Sequence, residues 1–391
     1  MNTVDVYSLT RFHYFALAEY RGSDICFQVH TAWPNFAVKR DFGQATATNH
    51  FCNYRSLLLT TLNRRKAGTY LDKLAKKSLV RYQSESDYLV LNSHIASVSQ
   101  LQRSRVIVDH GGLNPILEEH ILRKEASLFG FGPTGNQNDP EFKDRLISQI
   151  NDAQSLFVMS NAAISSFQGT LNKRKDFYRV NSPAVNTSTF FPMGRNEKKT
   201  TDTVNLLFVG ASVPRKGIHR LLAVLHDLRN HFNIHLTIVG SLPSDRRMDD
   251  IFKKYKRTVN FKQVGIVKET ELVSFYNQAD IFILPSLADG WGMVTNQALA
   301  CGLPVIVSDM CGSSDLVDDH NGLTFEAGND ESLKNAITQG IVKFVNETIE
   351  KKNFPRTTTN WSDFAAGYAR NIMSLKTDCI YPNLNSKGTT L

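Results

Sequence analysis

No window of this chain approaches the ~18 unbroken apolar residues that a membrane-spanning helix needs. Cysteine is scarce: five among 391 residues (Cys26, Cys52, Cys301, Cys311, Cys379), an odd number without C-x-x-C spacing. That argues against a disulfide framework or a cysteine zinc site and for buried thiols in a reducing compartment. The opening MNTVDVYSLTRFHYF lacks the basic start and apolar run of a secretory signal, so the N-x-S/T triplets at Asn186, Asn346 and Asn360 carry little weight. A cytoplasmic protein is the expectation. No D-x-D follows a strand to hold a metal, no internal repeat is visible, and no nucleic-acid motif accompanies the net charge of +8. Such a charge suits an anionic ligand or an acidic membrane surface as well as nucleic acid.

What is present is alternation. A chain of this length exceeds one ordinary core, which predicts two domains. Strand-like runs alternate with helical spacing throughout, the pattern of parallel α/β layers. In the first half the strands are expected at Val4–Leu9, Ile25–Val29, Tyr88–Leu91, Val106–Val108, Leu156–Met159 and Tyr178–Val180, with helices at Pro115–Phe129 and Pro140–Asp152. The stretch from Ser182 to Thr203 is rich in turn formers and charge and reads as a linker. The alternation then restarts with strands expected at Leu206–Val209, Ile234–Val239, Phe261–Val264 and Ile281–Leu284. Helices are expected at Gly217–Arg229, Asp249–Tyr255, Glu269–Gln278 and Leu333–Glu350. The division is a first domain over 1–192, a second over 200–355, and a last amphipathic helix over 361–376. The tail from Asn383 reads as disordered.

Two loops in the second half favour anions. After the run Leu206–Val209 comes Gly210-Ala-Ser-Val-Pro-Arg-Lys-Gly217, which places Arg215 and Lys216 just before a helix, with Gly217 in the turn. A guanidinium fork and an ammonium beside a helix N-terminus suit a diphosphate, although two exposed cations on a loop are the commoner occurrence. After Ile281–Leu284 comes Ala288-Asp-Gly-Trp-Gly292, followed by helical spacing over Met293–Ala300 that Gly302 and Pro304 end. Together the loops strengthen each other, because open α/β sheets bind ligands outside the carboxyl ends of their strands. Asp289 and Gln297 stand eight apart, about two helical turns, so both can face one crevice and bind sugar hydroxyls. Asp289 is equally well an Asx-turn residue before Gly290, and Gln297 an ordinary helix residue.

These residues resemble retaining glycosyltransferases of family 4, whose signature is E-G-x-G, a second Glu eight positions after the first, then A-x-A-x-G-x-P-V-I. The chain reads Asp289-Gly-Trp-Gly292, Gln297 and Ala298-Leu-Ala-Cys-Gly-Leu-Pro-Val-Ile306, and continues in register through Ser308, Gly312, Asp315-Leu-Val317 and Asn321-Gly-Leu323. Phe208-Val-Gly210 with Arg215-Lys-Gly217, the run from Glu271 to Ser286, and the linker from Ser182 to Pro192 also match. The match runs from about 150 to 375 and is faint before that. It departs at both glutamates, now Asp289 and Gln297, and at the arginine after V-G, now Ala211, whose charge Arg215 is positioned to replace.

The resemblance implies a GT-B fold: two Rossmann-like doubly wound parallel sheets facing a cleft, with the last helix crossing back onto the first domain. It implies a retaining, hexosyltransferase-type transfer from a nucleotide-diphosphate sugar to a glycan or lipid-linked saccharide, in bacterial surface polysaccharide or glycoconjugate synthesis. It also implies no cofactor and no metal. Lys216 with Arg215 would hold the diphosphate beside Gly210 and Gly217. Backbone at Trp291, Gly292 and Met293 would touch sugar and phosphate, Asp289 the sugar, and Gln297 the ribose. His110, at the tip of Val106-Ile-Val-Asp-His-Gly-Gly112, would meet the donor sugar or serve only as a turn residue. Two alternatives stay open: the same fold used for another reaction, such as nucleotide-sugar epimerisation, and an impaired nucleotide-sugar-binding scaffold, suggested by Asp289, Gln297 and Ala211. Thr10 and Arg11 occupy the first loop without its usual glycines. Glu118, Glu119 and Glu125 read as a solvated helix face. The basic patch Arg64, Arg65, Lys66, Lys73, Lys76, Lys77 and Arg81 reads as a soluble face or as a contact with anionic lipid at the inner membrane face.

Overall fold

The computed structural model describes residues 2–8, 17, 25–31, 49–50, 88–92, 105–132, 140–171, 173–193, 203–243, 245–346 and 360–375. Thr10, Arg11, the basic patch over 64–81, most of the linker after 193 and the tail lie outside them.

Two wholly parallel sheets carry the fold. The first contains β1 (Asn2–Ser8), β2 (Ile25–Thr31), β3 (Asn49–His50), β4 (Tyr88–Asn92), β5 (Arg105–His110), β6 (Ser155–Val158) and β7 (Tyr178–Val180), in the order β3-β2-β1-β4-β5-β6-β7. The second contains β8 (Val204–Val209), β9 (Ile234–Val239), β10 (Phe261–Gly265), β11 (Ile281–Leu284), β12 (Val305–Ser308) and β13 (Gly322–Phe325), in the order β10-β9-β8-β11-β12-β13. Each order reverses once, between β1 and β4 and between β8 and β11. Such a reversal splays the flanking connections to opposite faces and opens a crevice at the strands' carboxyl ends. The strands β11 and β12 are buried along their whole length, as expected of strands covered on both faces.

Nine α-helices are described: α1 (Pro115–Phe129), α2 (Pro140–Asp152), α3 (Asn161–Gln168), α4 (Ile218–Leu228), α5 (Arg246–Tyr255), α6 (Glu269–Gln278), α7 (Met293–Ala300), α8 (Asp330–Ile341) and α9 (Trp361–Ser374). The expected helix over 333–350 is instead α8 followed by a π-helical turn at Val342–Asn346. α1 starts where Asn114 caps it, its side-chain oxygen accepting from the Ile116 N–H, with Pro115 supplying a fixed φ at the first position. It ends at Gly130, in the left-handed conformation.

Two helices pack across the domain division: α9 and α1. α9 lays Phe364, Ala365, Tyr368 and Ile372 against Val4, Val6, Phe27 and Val90 of the first sheet, and the Tyr368 hydroxyl donates to Asp109 Oδ2 at 2.6 Å. In the other direction, Ala126, Phe129 and Phe131 at the end of α1 pack into the core of the second domain.

That α1 contact holds a buried ionic cluster. Glu125, 4% exposed, accepts from Arg220 Nε and Nη2 at 2.7 Å each and from His219 Nε2. Phe129 and Phe131 stand edge-on to the His219 ring, and the Arg220 guanidinium lies over Phe129. The solvated-face expectation therefore fails for this helix: Glu125 is a buried ion-pair partner, Glu119 is 11% exposed and bound to Arg123 and Lys143, and Glu118 is taken up below. Helical spacing alone predicted one apolar face, but α1 lies between two domains and buries more than one.

Burial holds His219 neutral by pushing its pKa below 6.5, against the upward pull of Glu125. Burial raises the Glu125 pKa, and the bonds from His219 and Arg220 outweigh it and lower it. Both depressed values act in one direction. Below pH 6.5 the unfolded chain takes up a proton at His219 that the folded chain refuses, and Glu125 adds to the loss further down. The unfolding midpoint is thus expected to fall between pH 7 and pH 5, and to fall less in His219→Gln, which keeps a donor without titrating. Glu125→Ala strands a buried guanidinium and is expected to cost on the order of 3 kcal/mol in urea unfolding.

Candidate donor-binding site

The site forms at the second sheet's switch point. β8 ends at Gly210, whose N–H donates to the Val239 carbonyl at 2.8 Å. The chain then makes the 3-10 turn Pro214–Lys216 and enters α4 through Gly217. β11 ends at Leu284 and leads through Ser286–Gly292 into α7. The two connections are stitched together by the Leu287 N–H donating to the Arg215 carbonyl at 2.8 Å. Gly217 has φ of 69°, and a Cβ there would lie 1.8 Å from the Pro285 carbonyl oxygen, so no other residue fits this turn.

Lys216, Arg215 and Asp289 converge. Lys216 Nζ donates to Asp289 Oδ2. Arg215 Nη1 donates to the Ala288 carbonyl at 2.7 Å and lies 3.8 Å from Asp289 Oδ1. Burial would raise the Asp289 pKa, but the charges of Lys216 and Arg215, with hydrogen bonds from Lys216 and Ser286, hold it below the usual carboxylate range. Across the cleft Glu118 of α1 places Oε1 3.8 Å from Arg215 Nε. Burial raises the Glu118 pKa; Arg215 opposes that and Asp289 adds to it. Two cations thus face two carboxylates, one from each domain. Glu118 belongs to this cluster rather than to a solvated face, and no motif in the sequence marks it.

The other residues singled out in the sequence sit around this cluster with distinct roles. Trp291 is 3% exposed; its Nε1 donates to Asn296 Oδ1 at 2.7 Å, and Asn296 Nδ2 donates to the Pro183 carbonyl. Its indole therefore anchors the loop to the linker, leaving only backbone near the cleft. Gly292 is the left-handed N-cap of α7, and Met293 opens that helix, where backbone N–H groups lack intrahelical acceptors. Gln297 lies one turn on, and its Oε1 accepts from the Tyr276 hydroxyl at 2.9 Å. Asp289 and Gln297 thus have different partners, and the structure gives no direct contact joining them. His110 is buried; its Nε2 donates to the Leu113 carbonyl at 3.0 Å and its ring stands edge-on to Phe167.

The first domain reaches the cleft through backbone. A Cβ on Gly290 would lie 1.9 Å from the Gly111 carbonyl oxygen, so the turn after His110 rests directly on the loop after β11. Beside it, Asp315 Oδ2 accepts from the Asn161 N–H at 2.8 Å, adding a carboxylate to the positive end of α3. Gly290→Ala is expected to push the domains apart: small-angle scattering reads a larger radius of gyration, with circular dichroism unchanged. An unchanged radius would show that the loop yields locally instead.

The family model for glycosyl transferases group 1 matches residues 193–343. A D-inositol 3-phosphate glycosyltransferase of Pseudarthrobacter chlorophenolicus is 25% identical over 257 residues, which cover 60% of this chain and 57% of that protein. The capsular polysaccharide biosynthesis glycosyltransferase CapM of Staphylococcus aureus is 29% identical over 153 residues, 38% of this chain and 39% of CapM. The chain thus spans between two-fifths and three-fifths of the length of these relatives. Sucrose-phosphate synthase of Thermosynechococcus elongatus shares the fold at a TM-score of 0.67 and 16% identity, over 97% of this chain and 100% of that one. Residues 193–343 thus resemble glycosyl transferases group 1, and they lie in the second domain of a chain with the GT-B fold.

Proposed function

We propose that the chain transfers a sugar, with retention of configuration, from a nucleotide-diphosphate sugar to a glycan or lipid-linked saccharide. The observation that carries this reading is the convergence of Lys216, Arg215 and Asp289 at the crevice between β8 and β11. Breaking a sugar–phosphate bond develops positive charge at the anomeric carbon and negative charge on the departing diphosphate. Lys216 and Arg215 are the groups that offset the latter, aided by the N–H groups that open α7. In this reading these cations do the work that a metal does elsewhere.

Asp289 then changes partner. A diphosphate competes for the Lys216 ammonium and frees the carboxylate for sugar hydroxyls, next to backbone at Gly292 and Met293. Gln297 meets the ribose, and His110 with the following turn closes over the sugar. The acceptor hydroxyl approaches from the first domain on the face the leaving group vacates, and a departing phosphate oxygen takes its proton. No protein nucleophile is required. The similarity to CapM supports a surface-polysaccharide acceptor, and the basic residues over 64–81 suit a lipid-linked one at an anionic membrane.

A second reading has one observation in its favour: Asp289 is a methylene shorter than glutamate and already paired with Lys216, so the site binds a nucleotide sugar without turning it over. A thermal-shift panel of UDP, GDP and ADP with their hexose conjugates separates the readings. Binding raises the midpoint by several degrees when ligand exceeds its dissociation constant ~100-fold. Slow hydrolysis of the same donor supports transfer; binding without turnover across a broad acceptor panel supports the scaffold. Lys216→Ala is expected to abolish the shift and lower kcat/KM on the order of 10²- to 10³-fold. Retained diphosphate binding in that variant would overturn the phosphate-site assignment.

A further inference from the structure

Tyr276 lies on the inner face of α6 and is 1% exposed, packed edge-on against Phe190 and Phe282. Among the described residues its hydroxyl has one hydrogen-bond partner, Gln297 Oε1 at 2.9 Å. A buried hydroxyl proton must be given to an acceptor or its desolvation goes uncompensated. With the Gln297 amide in this orientation the proton goes to Oε1. With the amide turned over, an NH2 group would face the hydroxyl and the proton would have no acceptor. Burial also pushes the Tyr276 pKa far above 10, so the hydroxyl stays a neutral donor at any working pH. The pair therefore fixes which end of the amide is free. That end is the NH2 group, which makes no hydrogen bond to the described residues.

Gln297 sits four residues after Met293, on the same side of α7, and helical side chains lean toward their helix's N-terminus. The amide is therefore carried toward the cleft end of α7. We infer that Tyr276 is a positioning residue that turns the Gln297 amide so that NH2, not oxygen, meets the donor ribose. This rests on the ribose assignment of Gln297 proposed above. A glutamate in that place reads a ribose hydroxyl by accepting its proton. Gln297, held this way, reads the hydroxyl's oxygen by donating to it. The polarity of recognition is reversed while the steric outline is kept.

Ribose ethers distinguish the two polarities, because an ether oxygen accepts a hydrogen bond and cannot donate one. Calorimetric dissociation constants are measured for UDP, GDP and ADP and for the 2′-O-methyl and 3′-O-methyl ether of each. The proteins are the wild type, Tyr276→Phe and Gln297→Glu. For the nucleotide that binds, one of the two ethers is expected within about threefold of its parent on the wild type. Gln297→Glu, which only accepts, is expected to widen that gap about tenfold or more. Tyr276→Phe frees the amide to rotate and is expected to weaken that ether more than the parent, a change in ratio that a general loss of packing would not produce. Rejection of both ethers by the wild type more than tenfold overturns the inference, as does an unchanged ether-to-parent ratio in Tyr276→Phe. Failure of all three parent nucleotides to bind the wild type overturns the donor-site reading itself, and this inference with it.

Discussion

Around the cleft, backbone has to touch backbone. Gly290 rests on the Gly111 carbonyl, Gly312 approaches the Gly290 carbonyl, and Gly217 packs under Pro285, each at a separation that leaves no room for a Cβ. These contacts stack four segments: the turn that carries Lys216, the loop that carries Asp289, the turn after β12 that carries Gly312, and the first-domain turn after His110. A side chain at any of the three glycines would separate layers whose functional groups must lie within hydrogen-bond reach. The positions of Lys216, Asp289 and Glu118 relative to one another follow from that stacking.

The same closeness creates the electrostatic character of the cleft. Four titratable groups drawn from two connections and one helix meet in a partly buried space, and each cation faces a carboxylate. Such a cluster is near neutral in sum, so a dianion enters it by exchanging partners rather than by filling a bare positive hole. Farther from the cleft, Glu125, His219 and Arg220 join α1 to α4 by a bidentate pair packed among aromatic rings. Because α1 carries both Glu118 and Glu125, the clamp on the second domain and the contact to Arg215 are two points on one rigid element.

Legibility in the sequence followed periodicity and punctuation. β11 lies where its apolar run predicts it, because a strand buried along its whole length has no polar residues to blur its bounds. Lys216, Arg215 and Asp289 could be singled out because they sit beside glycines that mark a loop after such a strand, and Gln297 because it stands eight residues after Asp289. The short β3 gave no signal in two residues, and the helix expected over 333–350 passed into a π turn where propensity gives little warning. Glu118 and Glu125 were misread for a stronger reason. A carboxylate on a helix is usually solvated, and only the approach of a second domain made these two exceptions. Tyr276 carries no mark in the sequence, because its hydroxyl's partner, Gln297, lies on the next helix.

Sequence alone determined the class of the molecule: alternating strands and helices, glycine-marked loops at strand ends, and basic residues in one of them. Those are local properties, set by side-chain period, by the φ that only glycine adopts freely, and by the charge of neighbours in the chain. Tertiary structure alone decided partnership: that Asp289 pairs with Lys216, that Gln297 answers to Tyr276, and that Glu118 faces Arg215. Those pairs are separated by 73, 21 and 97 residues in the chain. Their energies depend on distance and burial in space, which no local pattern records.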